Sequence, residues 1–406
     1  MIVRDAFLAA AGALERDGCA GAGAPLLSLL RWSAEDSDAR VDRARLLRAA
    51  AGLARVFTLS APDAPGLAVF GAEADLSGPA GEPGLPVVGA SGVGTSPGEA
   101  FAACIGEAVE LLSGVETAED RAAGRATLPL VRWPTGEAAA WPVDLLLRRA
   151  AHRRTVEPPA PLSIGCAAGR SPEEAALRAL LELIERDAAA LWWRGGVPPR
   201  PVALEDAAEA AALLAGLREG LAHRRSGLLD ITSDLGVPVV AALSFSPDGT
   251  GFCCGTACRL TRAAAARAAV LELCQNELAI AVVRAKREER GEAALNERDH
   301  LHLRRHRSIT AGTCALLHPA GAPSGGEPPG AEHGADAVAA IGGRLIEHGL
   351  EPLLLDLTRP AYGIPVIRTA CPGLACEPSR DTPPRLARVM ERTGGGSRHT
   401  GDVPLY

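Results

Sequence analysis

Lysine is almost missing from this chain: Lys286 is the only one among 42 basic residues, so nearly every positive charge is a permanently protonated guanidinium. Aromatics make up 3% of the 406 residues, which leaves Ala, Leu and Val to build the core. No run approaches the roughly eighteen uncharged apolar residues of a membrane-spanning helix. The apolar stretch Phe7 to Leu14 is hemmed by Asp5, Glu15, Arg16 and Asp17 and follows no basic segment, so it reads as an amphipathic helix and not as a signal peptide. A net charge of −7 leaves no cationic field for nucleic acid or an anionic membrane, and neither partner is expected. Gly-x-x-x-x-Gly-Lys-Ser/Thr does not occur, which excludes a P-loop NTPase. The ten cysteines are scattered and a chain this long needs no disulfide framework, so a reducing cytoplasm is expected. Cys253-Cys254-Gly-Thr-Ala-Cys258 lacks a second paired cluster or a histidine partner at zinc-finger spacing and reads as small buried residues.

What is present is an alternation. Residues 1–60 read as a helical N-terminal region, and Pro and Gly become frequent from Ala61 to Gly92. Beyond them, apolar strand candidates such as Val237 to Phe245 alternate with Ala/Leu/Glu-rich helices, the pattern of a mixed α/β fold in layers. Residues 319–336 are too rich in Pro and Gly to supply a core and read as a mobile linker. A helix near Ala337 to His348 and strands over Pro352 to Leu357 and Gly363 to Arg368 follow.

Three helices carry polar pairs three residues apart: Glu107 and Glu110, Glu182 and Glu185, Glu272 and Gln275. That spacing puts both members on one helix face. Apolar neighbours such as Val109, Ile184 and Leu273 make these helices at least half buried, and buried carboxylates need cations. Ser96-Pro-Gly-Glu99 and Ser171-Pro-Glu-Glu174 match capping boxes with proline at the first helical position. The glycine-bearing stretches before them, Gly92 to Thr95 and Ser163 to Gly169, allow close backbone approach to a phosphate. Carboxylates converging with Arg186 suit divalent cations that bridge a nucleotide polyphosphate. Taken singly, each pair reads more readily as structural than as part of a site, with Arg178, Glu182 and Arg186 as one salt-bridge row. His300, His302 and His306 sit among arginines that repel a metal and read as a solvated helix face, and Trp192 and Trp193 read as core.

The run from Ser163 to Asp187, followed by Ala190-Leu-Trp-Trp193, resembles the signature helix of YcaO proteins. Gly106 to Glu110, Arg267 to Gln275, Asp356-Leu-Thr358, Gly363 to Arg368 and Pro372-Gly-Leu374 support it in the same order. The resemblance covers residues 88–375 and implies a YcaO domain over 61–406, with ATP and Mg2+ as cofactors. Carried over by position, Glu107, Glu110, Glu182 and Glu185 resemble metal ligands, Glu174, Arg186, Glu272 and Gln275 resemble nucleotide contacts, and Arg186 is the catalytic cation. The implied activity is ATP-dependent activation of backbone amides in a ribosomally made precursor peptide, foremost the cyclodehydration of Cys, Ser or Thr to azolines. Thioamide formation and a non-catalytic scaffold of a modification complex are the alternatives. Leu111, Val93, Ala167 and Arg170 depart from residues common in the family, and the chain ends in Asp-Val-Pro-Leu-Tyr406 where many azoline-forming members have a proline-rich tail. Asp230 to Asp234 and Gln275-Asn-Glu277 look more like members that act beside a TfuA-type partner. The resemblance further implies a separate protein that delivers the substrate, and a homodimer is left open.

Overall fold

The computed structural model describes residues 2–15, 23–33, 37–81, 83–323 and 334–406. Three antiparallel sheets organise it. The first contains Arg55–Leu59, Ala68–Asp75 and Val87–Gly94. The second runs Cys253–Cys258, Val239–Phe245, Arg225–Asp230 and Arg200–Pro201. The third runs Ala138–Pro142, Thr127–Arg132, Leu353–Asp356, Val366–Ala370 and Cys166–Ala168. The mixed α/β layering expected from the alternation is what forms.

Each sheet contributes one strand that leads directly into a long acidic helix: Val87–Gly94 into Pro97–Ser113, Cys166–Ala168 into Pro172–Trp193, and Cys253–Cys258 into Arg262–Arg290. Every helix packs on its own strand and also reaches the strand of the next unit. The first touches Cys166–Ala168, the second Cys253–Cys258, and the third returns to Val87–Gly94. The three strand–helix units therefore close into a ring, with the inner helix faces turned to a common centre.

Close approach at these junctions depends on glycine. A Cβ on Gly92 would stand 2.1 Å from the Cys104 nitrogen, and one on Gly169 would stand 2.4 Å from that of Ala175. These glycines press strand against helix, so packing accounts for them where the sequence suggested a phosphate cradle.

The few aromatics are concentrated at two points of the core. Phe101 stacks on Phe7 at 5.9 Å and meets Trp32 and Phe70 edge-on at 5.5 Å each, joining the N-terminal helices Arg4–Glu15 and Ala24–Leu30 to the first unit. Trp192, Trp193 and Phe252 form the second group, with both indole N–H groups donating to backbone carbonyls, of Leu316 at 2.8 Å and Val403 at 2.7 Å. Both tryptophans are core, as read from the sequence.

Some boundaries differ from expectation. The helical region of residues 1–60 ends in the strand Arg55–Leu59, which pairs across residue 60 with Ala68–Asp75. The linker assigned to 319–336 falls mostly outside the described residues; at its end the helix Gly334–Glu347 has already begun, and at its start the Ala320 N–H donates to the Pro199 carbonyl at 2.8 Å. The strand expected over Gly363 to Arg368 lies at Val366–Ala370, because Gly363 takes a φ of +62° and belongs to the turn before it. Among the described residues, no helix is long and apolar enough to cross a membrane.

Candidate active site

One local rule sets all three acidic helices. Each begins at a hydroxyl cap, and Ser96, Ser171 and Thr261 accept the N–H of Glu99 at 3.3 Å, Glu174 at 3.2 Å and Ala264 at 3.2 Å. Eleven residues beyond each cap stands a glutamate (Glu107, Glu182, Glu272), and three further on a second carbonyl-bearing side chain (Glu110, Glu185, Gln275). The first member of each pair bonds back to its own unit. Glu107 accepts the Ser91 N–H at 2.8 Å, Glu182 that of Gly165 at 3.0 Å and Glu272 that of Thr256 at 3.2 Å. The second member reaches the next unit. Glu110 accepts the Ala168 N–H at 2.7 Å, Glu185 accepts the Cys258 N–H at 3.1 Å and the Thr256 hydroxyl at 2.8 Å, and the Gln275 amide donates to the Ser91 hydroxyl at 2.8 Å. The same six positions thus stitch the ring together and bring five carboxylates to its centre.

Those five glutamates, with Glu174 and Arg186, line one cavity of 1810 Å³. Gln275 does not line it, being engaged with Ser91. Glu174 lies at the rim, its two oxygens held by Arg170 at 2.9 Å and Arg178 at 2.6 Å. Arg186 stands 3.5 Å from Glu182, and its Nε–H is buried without a hydrogen-bond partner. The cavity also runs along Ala339, Ala340 and Gly343 of the helix Gly334–Glu347.

The electrostatics follow from crowding like charges away from water. Burial pushes Glu110 up to about 8, with Glu182 and Glu107 adding repulsion. Glu272 rises to about 8 from burial and the neighbouring Glu185. Glu107 and Glu182 are raised for the same leading reason. A cation placed among them would relieve both the desolvation and the repulsion.

The residues fit magnesium and a nucleotide on two grounds. The backbone bonds of Glu107, Glu110 and Glu272 occupy one carboxylate oxygen each and leave the other without a donor among the described residues. The orphaned Arg186 N–H offers a donor to an anion. Among the described residues, no three His, Cys, Asp or Glu side chains already converge at metal-ligand reach, so loading would draw the free oxygens together.

Two parts of the site were not read from the sequence. Thr261 caps the third helix without a glutamate at Ala264 to complete a box, although the spacing of Ser96 and Ser171 to their glutamates, laid on Glu272, finds it. Tyr406 lies with its ring 4.1 Å from the Arg186 guanidinium. Its hydroxyl is 2.5 Å from Thr256 Oγ1. Because the Thr256 hydroxyl spends its only proton on Glu185, Tyr406 is the donor in that contact.

One expectation is overturned. His306 is 5% exposed, not solvated, with Nδ1 3.2 Å from the Phe252 carbonyl and Nε2 2.8 Å from Arg284. The helix Glu297–Ser308 buries the face that carries Leu303, Arg305 and His306.

A family model described as YcaO cyclodehydratase, ATP- and Mg2+-binding, matches residues 120–375. The match begins after Glu107 and Glu110. A solved heterocyclase in complex with substrate and cofactor is 20% identical with a TM-score of 0.62, covering 79% of this chain and 50% of that one. This chain thus spans about half the length of that heterocyclase. YcaO from Methanopyrus kandleri bound with AMPPCP and Mg2+ is 20% identical with a TM-score of 0.61, covering 86% of this chain and 95% of that one. A chain of the E. coli microcin synthetase McbBCD complex with pro-MccB17 bound is 11% identical with a TM-score of 0.51, covering 78% and 86%. No curated protein matches. With well over half of its length matched by the family model, the chain belongs to the YcaO family of ATP- and Mg2+-binding cyclodehydratases.

Proposed function

We propose that this chain uses ATP and Mg2+ to activate backbone amides of a ribosomally synthesised precursor peptide, closing Cys, Ser or Thr residues into azolines. The observation that carries the reading is the ring of three acidic helices whose glutamates share one cavity with Arg186. At 1810 Å³ the cavity exceeds the roughly 300–1,000 Å³ of an ordinary small-molecule site, which leaves room for a peptide segment beside a nucleotide.

Glu107, Glu110, Glu182 and Glu185 would hold Mg2+, while Arg186, Glu174 and Glu272 would face the nucleotide. When bound, ATP supplies the phosphoryl group that makes the amide oxygen a leaving group after the substrate side chain has attacked the carbonyl carbon. The attacking thiol or hydroxyl and the amide nitrogen would each give up one proton and the oxygen would depart with the phosphoryl group, so the peptide loses one water in all. Arg186 offsets the charge that develops on the transferred group, which is where electrostatic stabilisation acts.

Thioamide formation beside a TfuA-type partner is the second reading, since external sulfide attacking the same activated amide would exchange oxygen for sulfur. It is favoured by the likeness of Asp230 to Asp234 to such members, yet these residues line a separate cavity of 420 Å³, where Asp230 pairs with Arg262 and Asp234 with Arg385. The bound pro-MccB17 of the E. coli complex supports a precursor peptide and partner proteins here also. Tandem mass spectrometry of a candidate precursor, co-expressed with this chain and its partner, separates the readings. Loss of water at Cys, Ser or Thr supports azoline formation; exchange of a backbone oxygen for sulfur supports thioamidation. An unmodified peptide beside a chain that binds no ATP would leave the scaffold.

A further inference from the structure

Four arginines lie within residues 148–154, and three of them are neutralised locally. Arg149 pairs with Asp144 at 2.9 Å and Glu116 at 3.0 Å, Arg153 with Glu116 at 2.9 Å and Arg154 with Glu157 at 3.6 Å. The Arg148 guanidinium makes no hydrogen bond or ion pair with any described residue, and Arg148 is the one of the four that lines the acidic cavity. Its backbone is fixed there. The Arg148 N–H donates to the Gly114 carbonyl at 2.7 Å and its carbonyl accepts the Glu116 N–H at 3.0 Å, which ties it to the end of the helix that carries Glu107 and Glu110. Arg368 lies close enough to repel it and also pairs with no carboxylate among the described residues, donating instead to the carbonyls of Leu162 and Leu145. Arg148 feels the charge of Glu110 and Arg368 that of Glu182, neither as an ion pair.

A half-buried cation that no carboxylate pairs with, opening onto a cavity, is completed by an anion of the ligand. We propose that Arg148 takes a phosphate oxygen of the bound nucleotide, adding a second guanidinium to that of Arg186. The inference rests on the proposed ATP-dependent function. Its planar fork of N–H donors suits phosphate, and attachment through backbone bonds to the first acidic helix holds it in register with Glu107 and Glu110.

Titration calorimetry with Mg2+ and ATP on the full chain and on Arg148→Gln and Arg148→Lys tests this, together with the nucleotide-free melting temperature of each. Arg148→Gln should weaken ATP on the order of tenfold or more, Arg148→Lys should fall between the two, and the nucleotide-free melting temperatures should agree. A folded Arg148→Gln that binds ATP like the unaltered chain overturns the inference. So does a loss in which both variants melt lower and bind equally poorly, which would mark a packing role. If the unaltered chain binds no ATP, the proposed function itself fails, a result that needs no variant to recognise.

Discussion

Arg186 is set by neighbours of two kinds: the Glu182 carboxylate at 3.5 Å and the Tyr406 ring at 4.1 Å. The ring orients the guanidinium by cation–π attraction, and the hydroxyl bond to Thr256 orients the ring. Tyr406→Phe should therefore retain most peptide-modifying activity, while Tyr406→Ala should lower turnover roughly tenfold at similar ATP affinity, a loss on the order of 1.4 kcal/mol. A steady-state comparison of the two variants checks it. The glutamates were legible from the sequence because their spacing is local to one helix. Tyr406 was not, because its contact with Arg186 joins distant parts of the chain. His306 was misread for a related reason: the polar composition of its helix hides which face packs. Burial, then the nearby Arg284, lowers the His306 imidazole to about 4 against its usual 6.5. The unfolded chain takes up this proton near pH 6.5 and the folded one resists, so the contribution is full above 6.5 and lost as pH falls through about 4. His306→Gln should flatten that part of the stability profile by about 2–3 kcal/mol, read by urea denaturation between pH 4 and 7.

At the scale of elements, the caps and the glycines decide whether three helices can meet. Removing the Thr261 hydroxyl with Thr261→Ala should cost about 1 kcal/mol, and Ser96→Ala and Ser171→Ala about the same. Denaturation midpoints would show it. Gly92→Ala should cost more, since its Cβ has to displace the Cys104 backbone, and it should weaken ATP binding by shifting Glu107. The capping boxes at Ser96 and Ser171 were readable, but their return bonds land one residue early: Glu99 accepts the Thr95 N–H at 2.9 Å and Glu174 that of Arg170 at 3.1 Å. Sequence spacing resolves a cap and not which of two adjacent N–H groups the carboxylate takes.

At the scale of the molecule, the sequence displayed three similar helices without indicating that they form a closed ring. Closure depends on bonds such as Glu110 to Ala168 and Gln275 to Ser91, which are long-range pairings that no local pattern encodes. The mixed α/β class was legible because strand and helix periods alternate along the chain. The arrangement of its three sheets was not, since Leu353–Asp356 and Val366–Ala370 return to pair with the much earlier Thr127–Arg132 and Cys166–Ala168. The central claim is that the ring's carboxylates make a Mg2+-dependent nucleotide site, and thermal unfolding with Mg2+ and ATP tests it most directly. At ATP a hundredfold above its dissociation constant, the unaltered chain should gain about 2.7 kcal/mol, and Glu182→Gln should gain little or nothing while folding normally. Equal stabilisation of both, or of neither, would contradict the account.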